Sequence, residues 1–273
     1  MAVFIPDLED VRRAQAIVGS YTRSRQAIIA ARPGNPRGAE CRTFDGGAIA
    51  LRTPGLPGSV FFNRASGFHD GLIDEVPGVI AWFAEGVGGV FELTPGASIA
   101  KTARCLAEAG YAQSSFHATM ASPIGLPDAP ATGVEIVRLT GAAELPAFAD
   151  AYHAGWAITG PGIPMAGWLS APGWSLYLAR IGGRPAGAAV LYAVGEDAYL
   201  ADGAVDAAFR RHGVHRALLD RRCTDAAGAG ATRIFSGCDF LSASYRNQLR
   251  KGLSLLYTEA IWENWAPAVD SQA

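Results

Sequence analysis

Twice in this 273-residue chain a strand-like run is followed by a helix that stops at glycine and leads straight into another strand. In the first half the order is GVFEL, SIAKTARCLAEAG, YAQSSFHATM; in the second it is TRIFSGC, SASYRNQLRKG, LSLLYTEAIW. Glycine just past a helix permits the left-handed turn that ends it, and an apolar residue then enters the strand. Phe91 to Gly110 and Phe235 to Gly252 span nearly the same length. A repeat of this kind predicts two related α/β units in tandem.

The elements before each repeat agree with that plan. WSLYLARIGGRPAGAAVLYAV (174–194) reads as a hairpin turning at Gly182-Gly183. AYLADGAV (198–205) reads as a third strand, and Val214 through about Ala227 as a helix with Ala217, Leu218 and Cys223 inward. In the first half SVFFNRA is strand-like and VPGVIAWFAEG helical. Between the halves, ASPIGLPDAPATG (121–133) carries three prolines and no periodicity, as a linker does. The expected organisation is one unit over residues 1–122, a linker at 123–133 and a second unit over 134–268.

Composition removes several classes. With 49% hydrophobic residues the chain has ample core material, and a net charge of -2 gives no global basic field for nucleic acid. Cys41, Cys105, Cys223 and Cys238 stand apart with no C-x-x-C pair, and the five histidines lack metal-ligand spacing, so neither a disulfide framework nor a metal site is expected. MAVFIPDLEDVRR turns acidic too early for a signal peptide, and no apolar run approaches bilayer length. The expectation is a soluble cytoplasmic protein with neither a membrane nor a nucleic-acid partner.

One stretch carries chemistry. AFRRHGVHRALL (208–219) follows a strand and opens a helix. The first N–H groups of a helix lack intrahelical partners, and the helix dipole places positive charge there. Gly213 lets a ligand approach the backbone closely. Five arginines fall between 210 and 222, a local cluster in a nearly neutral chain. Arg221 and Arg222 read as a solvated helix face; Arg210, Arg211 and Arg216 read as part of an anion site. The P-loop and G-x-G-x-x-G patterns are absent, and SIAK (98–101) lacks the partner motifs of a serine acyl-enzyme.

FRRHGVHRALL resembles the acyl-CoA loop of the GNAT superfamily of N-acyltransferases, [QR]-x-x-G-x-[GA]. Arg210 and Gly213 match, and His215 stands where a small residue is usual. The hairpin YLARIGGRPAGAAVLY and the ending SYRNQLRKGLSLLYTEAIW are also similar to this superfamily, with Leu253 where phenylalanine is usual. The likeness covers about residues 134–265; the first half resembles a second such unit without the arginine loop, reading GFHDGLIDEVPG in its place. The resemblance implies an α/β (α+β) fold of tandem GNAT-like units, each a mixed, mostly antiparallel central sheet flanked by helices.

It further implies an acetyl-CoA-dependent N-acetyltransferase acting on an amine of a small-molecule acceptor. Acetyl-CoA would be held by the backbone of Ala204 and Val205, by Arg210, Arg211, His212, Gly213, Val214, His215 and Arg216, and by Asn247. Asp202 is the candidate base and Tyr245 the candidate acid, with Tyr257 a further possibility, because Gln248 occupies the position where the family's tyrosine is usual. The segment 151–174, with Tyr152, His153, Trp156, Trp168 and Trp174, either shapes the acceptor pocket or packs as core. His215, Gln248 and the degenerate first half keep a second reading open, a non-catalytic acyl-CoA-binding or regulatory protein. A third is a transferase of aminoacyl or larger acyl groups.

Overall fold

A computed structural model describes residues 4–85, 87–124, 133–158 and 165–264. The chain begins with α1 (Leu8–Ala30), β1 (Glu40–Thr43), β2 (Ile49–Arg52), β3 (Arg64–Ser66), α2 (Val76–Ala84) and β4 (Val90–Leu93). Then come α3 (Ala100–Glu108), β5 (Tyr111–Pro123), β6 (Glu135–Arg138), α4 (Leu145–Gly155), α5 (Ala166–Ser170), β7 (Trp174–Ile181) and β8 (Arg184–Val194). It ends with β9 (Asp197–Val205), α6 (Val214–Gly228), β10 (Arg233–Asp239), α7 (Ala243–Lys251) and β11 (Ser254–Asn264).

Contacts divide the chain into two compact units. One takes residues up to Tyr21 together with Ala118–Leu256; the other takes Thr22–His117 and the chain from Tyr257. The divisions fall inside α1, β5 and β11. In the first unit the strand order is β5-β10-β9-β8-β7-β6, with β9 and β10 parallel and β6–β7, β7–β8 and β8–β9 antiparallel. In the second the order is β1-β2-β3-β4-β11, with β3 and β4 parallel and β1–β2, β2–β3 and β4–β11 antiparallel. Each unit is thus a mixed, mostly antiparallel sheet flanked by helices. No helix among the described residues is long and apolar enough to cross a membrane.

The cores follow the apolar pattern. Leu218 and Cys223 of α6 share a core with Ala189, Leu191, Ala198 and Leu200 of the sheet, and Ala217 is buried as well. In the second unit Phe68, Phe83, Phe91 and Tyr111 meet edge to face at centroid separations of 5.5–5.9 Å, a favoured aromatic geometry. The hairpin turns at Gly182 and Gly183, both at positive φ.

Three elements differ from the sequence reading. SVFFNRA is strand only from Arg64, because the buried Asn63 side chain bonds Leu56 O, Ser59 O and Thr53 N and holds the preceding residues in turns. β5 runs to Pro123, three residues into the proline-rich segment; residues 125–132 of that segment lie outside the described residues. The long helix α1 was not anticipated. Its inward positions include Asp10, Thr22, Arg25 and Gln26, which break the apolar stripe that marks a helix.

Candidate active site at the open edge of β9

β9 pairs with β10 only from Asp197↔Arg233 to Tyr199↔Phe235. Ser236 Oγ donates to Leu200 O at 3.0 Å, and beyond that bond the register pairing of the two strands has ended. On its other side β9 is bulged against β8: Ala188 faces Ala204 and Val190 faces Ala201, so Ala189 opposes both Asp202 and Gly203. A bulge re-aims the backbone and increases local twist. Asp202 takes the extra position at φ 47°, a strained conformation for a non-glycine residue. Ala204 and Val205 therefore lie on a strand edge that β10 does not cover.

A short 3-10 turn, Ala207–Phe209, follows β9 and is capped by Asp206, whose carboxylate accepts from Ala208 N at 2.9 Å. Arg210, Arg211 and His212 are exposed; His212 Nδ1 bonds Arg210 O at 2.9 Å. Gly213 is the N-cap of α6 at φ 81°, a left-handed conformation natural to glycine, and no side chain caps the helix. The bonding of α6 begins with Ala217 N to Gly213 O, so the earlier N–H groups at Val214, His215 and Arg216 face an end flanked by exposed arginines. Arg216 is exposed and lies 3.9 Å from Asp220.

Beneath the bulge the structure corrects the expectation for Arg222. It is not on a solvated face but 1% exposed. Its Nη1 donates to Val190 O and Ala201 O, each at 2.9 Å, and its Nε donates to Leu218 O at 3.0 Å. Burial lowers its pKa to about 10, a loss that nearby Cys223, Tyr177, Asp202 and Tyr199 oppose, so the group stays charged at neutral pH. A guanidinium thus bridges the carbonyls of the paired residues on the two strands where the bulge begins. Arg221, by contrast, is half-exposed, bonding Asp225 at 2.9 Å and Ile136 O at 3.3 Å.

His215 lies on the first turn of α6, with Nε2 3.3 Å from Ser244 Oγ. Burial, with Arg222 nearby, lowers its pKa to about 4, so the ring is neutral at pH 7. Gln248, at the family's tyrosine position, is buried and donates through Nε2 to Ser244 Oγ at 3.2 Å. Lys251 closes the contact of α7 with α6 through a buried pair with Asp220 at 2.6 Å. Asn247 is partly exposed and accepts from Arg250 at 3.1 Å. The ring of Tyr245 is buried against Phe240 at 5.3 Å, in the same core cluster as Val214 and Leu218. Tyr257 falls in the other unit.

Asp202 has a partner that sequence reasoning missed: its carboxylate accepts from the Tyr21 hydroxyl, 181 residues away. Tyr21 also packs on Trp174, Tyr192 and Tyr199 at 5.0–5.7 Å. Trp174 continues to Trp168, and Trp168 to Tyr152, at 5.2 and 5.6 Å. Tyr152, Trp168 and Trp174 are thus buried core, whereas Trp156 is exposed; residues 159–164 of this segment lie outside the described residues. The end of α4 approaches β9 closely: a Cβ on Gly155 would stand 2.7 Å from Val205 N. Asp202 and Tyr245 share no described contact.

The fold agrees with what the chain resembles. Residues 144–242 match the family model described as Acetyltransferase (GNAT) family. A GCN5-related N-acetyltransferase from Kribbella flavida is 19% identical, with a TM-score of 0.61 over 92% of this chain and 96% of that one. A tandem GNAT protein from the clavulanic acid biosynthesis pathway is 12% identical, with a TM-score of 0.56 over 96% and 97%. A GCN5-related N-acetyltransferase from Sphaerobacter thermophilus is 14% identical, with a TM-score of 0.56 over 79% of each. No curated protein matches the chain. The fold is GNAT-like and tandem, and the stretch that contains α4 to β10 carries the GNAT family's sequence pattern.

Proposed function

We propose that the unit containing β9 and α6 binds acetyl-CoA and transfers its acetyl group to an amine of a small acceptor in the cytoplasm. The observation that carries this reading is the uncovered edge of β9 beside an uncapped helix start flanked by Arg210 and Arg211. Helix N–H groups and arginine forks suit a pyrophosphate, and an open strand edge suits an extended arm bearing amides. The residues of the site fit the cosubstrate on these grounds. The first half is a second GNAT-like unit without this basic corner.

In the proposed reaction the amine nitrogen attacks the thioester carbon, and the C–S bond breaks as the new C–N bond forms. Asp202 takes the proton the amine must lose, directly or through a water. The Tyr21 hydroxyl holds that carboxylate in place. A backbone N–H near Val205 stabilises the oxyanion, and Tyr245 returns a proton to the departing thiolate. The buried Gln248 at the tyrosine position favours a second reading, in which acyl-CoA binds without turnover.

Calorimetric titration of acetyl-CoA into the wild type and an Arg210→Ala/Arg211→Ala variant tests the site. Loss of two charge-assisted contacts should weaken binding about 100-fold. A folded wild type that binds no acetyl-CoA would remove the proposal. Release of free thiol with a panel of amines then separates transfer from binding alone.

A further inference from the structure

The two positions where the loop and the last helix depart from the family pattern, His215 and Gln248, meet in space. They are joined through one hydroxyl: Gln248 Nε2 to Ser244 Oγ at 3.2 Å and Ser244 Oγ to His215 Nε2 at 3.3 Å. The Gln248 amide N–H can only donate, so Ser244 accepts it and its own hydrogen is available to His215. In the tautomer that carries the ring hydrogen on Nδ1, His215 Nε2 accepts that hydrogen. The neutral state required by this tautomer agrees with the lowered pKa of His215, about 4, which burial and Arg222 produce.

Both ends of the relay lack a partner. His215 Nδ1 and Gln248 Oε1 are buried atoms with no hydrogen bond, and Gln248 as a whole is 1% exposed. Buried polar atoms are almost always paired, and an orphan costs the desolvation of the group. One end is a donor and the other an acceptor. The relay also lies against the bulge, since a Cβ on Gly203 would be 3.9 Å from His215 Nε2. Its histidine end therefore lies against the bulged part of β9, beyond the last residue that β10 pairs.

We infer that the His215–Ser244–Gln248 relay is a binding element for a secondary amide of the ligand, with His215 Nδ1 donating to the amide carbonyl and Gln248 Oε1 accepting its N–H. Resting on the acetyl-CoA reading above, it assigns the pantetheine arm, which carries secondary amides, to these three side chains. His215 and Gln248 would then be paired changes that together complete one hydrogen-bonded site.

The test is calorimetric titration of two probes, acetyl-CoA and 3′-phospho-ADP, which keeps the pyrophosphate and nucleotide but has no pantetheine. The wild type is compared with Gln248→Met, Ser244→Ala and His215→Ala, each first checked by thermal melting; Gln248→Asn, which withdraws the amide by one methylene, serves if Gln248→Met does not fold. Each loss is expected to weaken acetyl-CoA about 10-fold; Gln248→Met and Ser244→Ala should also leave 3′-phospho-ADP within about twofold, since both residues lie on α7 and not on the helix start proposed for the pyrophosphate. Unchanged acetyl-CoA affinity in folded variants would overturn the inference, water being the relay's partner. Tighter binding in His215→Ala would also overturn it, with the ring then an obstruction. A wild type that binds neither probe would instead defeat the acetyl-CoA reading on which it rests.

Discussion

The corner from β9 to α6 and the corner from β3 to α2 occupy the same place in their units, each following the first strand of a parallel pair. Their chemistry is opposite. The β9 corner presents Arg210, Arg211 and His212, and its helix starts at a glycine with no side-chain cap. The β3 corner satisfies its own donors. His69 Nδ1 accepts from Gly71 N at 3.0 Å, Asp70 accepts from Thr102 N at 2.9 Å and from Ser98 Oγ at 2.5 Å, and the second residue of α2, Pro77, has no N–H to offer. A helix start can serve a ligand only where the chain has not already spent its donors. Topology repeats in the two units; the capacity to hold an anion does not.

The largest test of this contrast is Arg222→Met. The β9 corner rests on a buried guanidinium, whereas α2 turns apolar residues, Val79, Trp82 and Phe83, toward its core. Removing the guanidinium leaves the carbonyls of Val190 and Ala201 buried and short of a donor, at about 1–3 kcal/mol each. We expect a loss of about 3 kcal/mol in urea unfolding, with acetyl-CoA affinity falling in the remaining folded protein. An unfolding midpoint equal to that of the wild type would show that the bulge does not depend on Arg222. Arg222→Lys, which keeps the charge but not the fork, should recover only part of the loss.

A smaller effect is expected at the helix start. Gly213 holds φ 81°, so Gly213→Ala should cost about 1 kcal/mol through backbone strain and should weaken acetyl-CoA by crowding the approach to α6. The β3 corner has no matching requirement, because Glu75 at the start of α2 is in the ordinary right-handed region. Equal affinity for acetyl-CoA in Gly213→Ala and wild type would argue that the ligand does not approach this backbone.

How much of this was legible in the sequence depended on the range of the interaction. The hairpin β7–β8 and the helix α6 declare themselves through local signals, paired glycines at the turn and an apolar stripe at helical spacing. So does the basic corner, whose residues are adjacent. Arg222 could not be read correctly, since a charged residue on a helix is ordinarily solvated and its acceptors lie on two strands 21 and 32 positions away. α1 was invisible because its buried face is partly polar, with Gln26 bonding Glu40 O and Arg52 O. The Tyr21–Asp202 bond joins residues 181 positions apart, and no local pattern announces it. His215 and Gln248 each appeared in sequence as a lone departure; only the fold brings them to one serine.

The finest comparison is in acid. In the β9 corner burial, with Arg222 nearby, lowers His215 to about 4 from an ordinary 6.5. The unfolded chain therefore binds a proton more readily than the native one, and the stability this histidine contributes is complete above about pH 6.5 and is lost as pH falls toward 4. In the β3 corner burial alone would raise the pKa of Asp70, but bonds from Ser98, Thr102 and the Lys101 N–H outweigh it and hold the group below its ordinary 3.8. Its contribution is present above that value and is lost as pH falls through the depressed pKa. The two corners should thus weaken in succession on acidification, the basic one first. Thermal melting of the wild type, His215→Asn and Asp70→Asn across pH 3 to 8 separates them, and taking each variant's difference from the wild type removes the other titrating groups. The His215→Asn difference should change between about pH 6.5 and 4 and the Asp70→Asn difference only below it. A His215→Asn curve parallel to the wild type throughout would mean that this ring is solvated and free to protonate, and the relay it anchors with Ser244 and Gln248 would lose its tautomer.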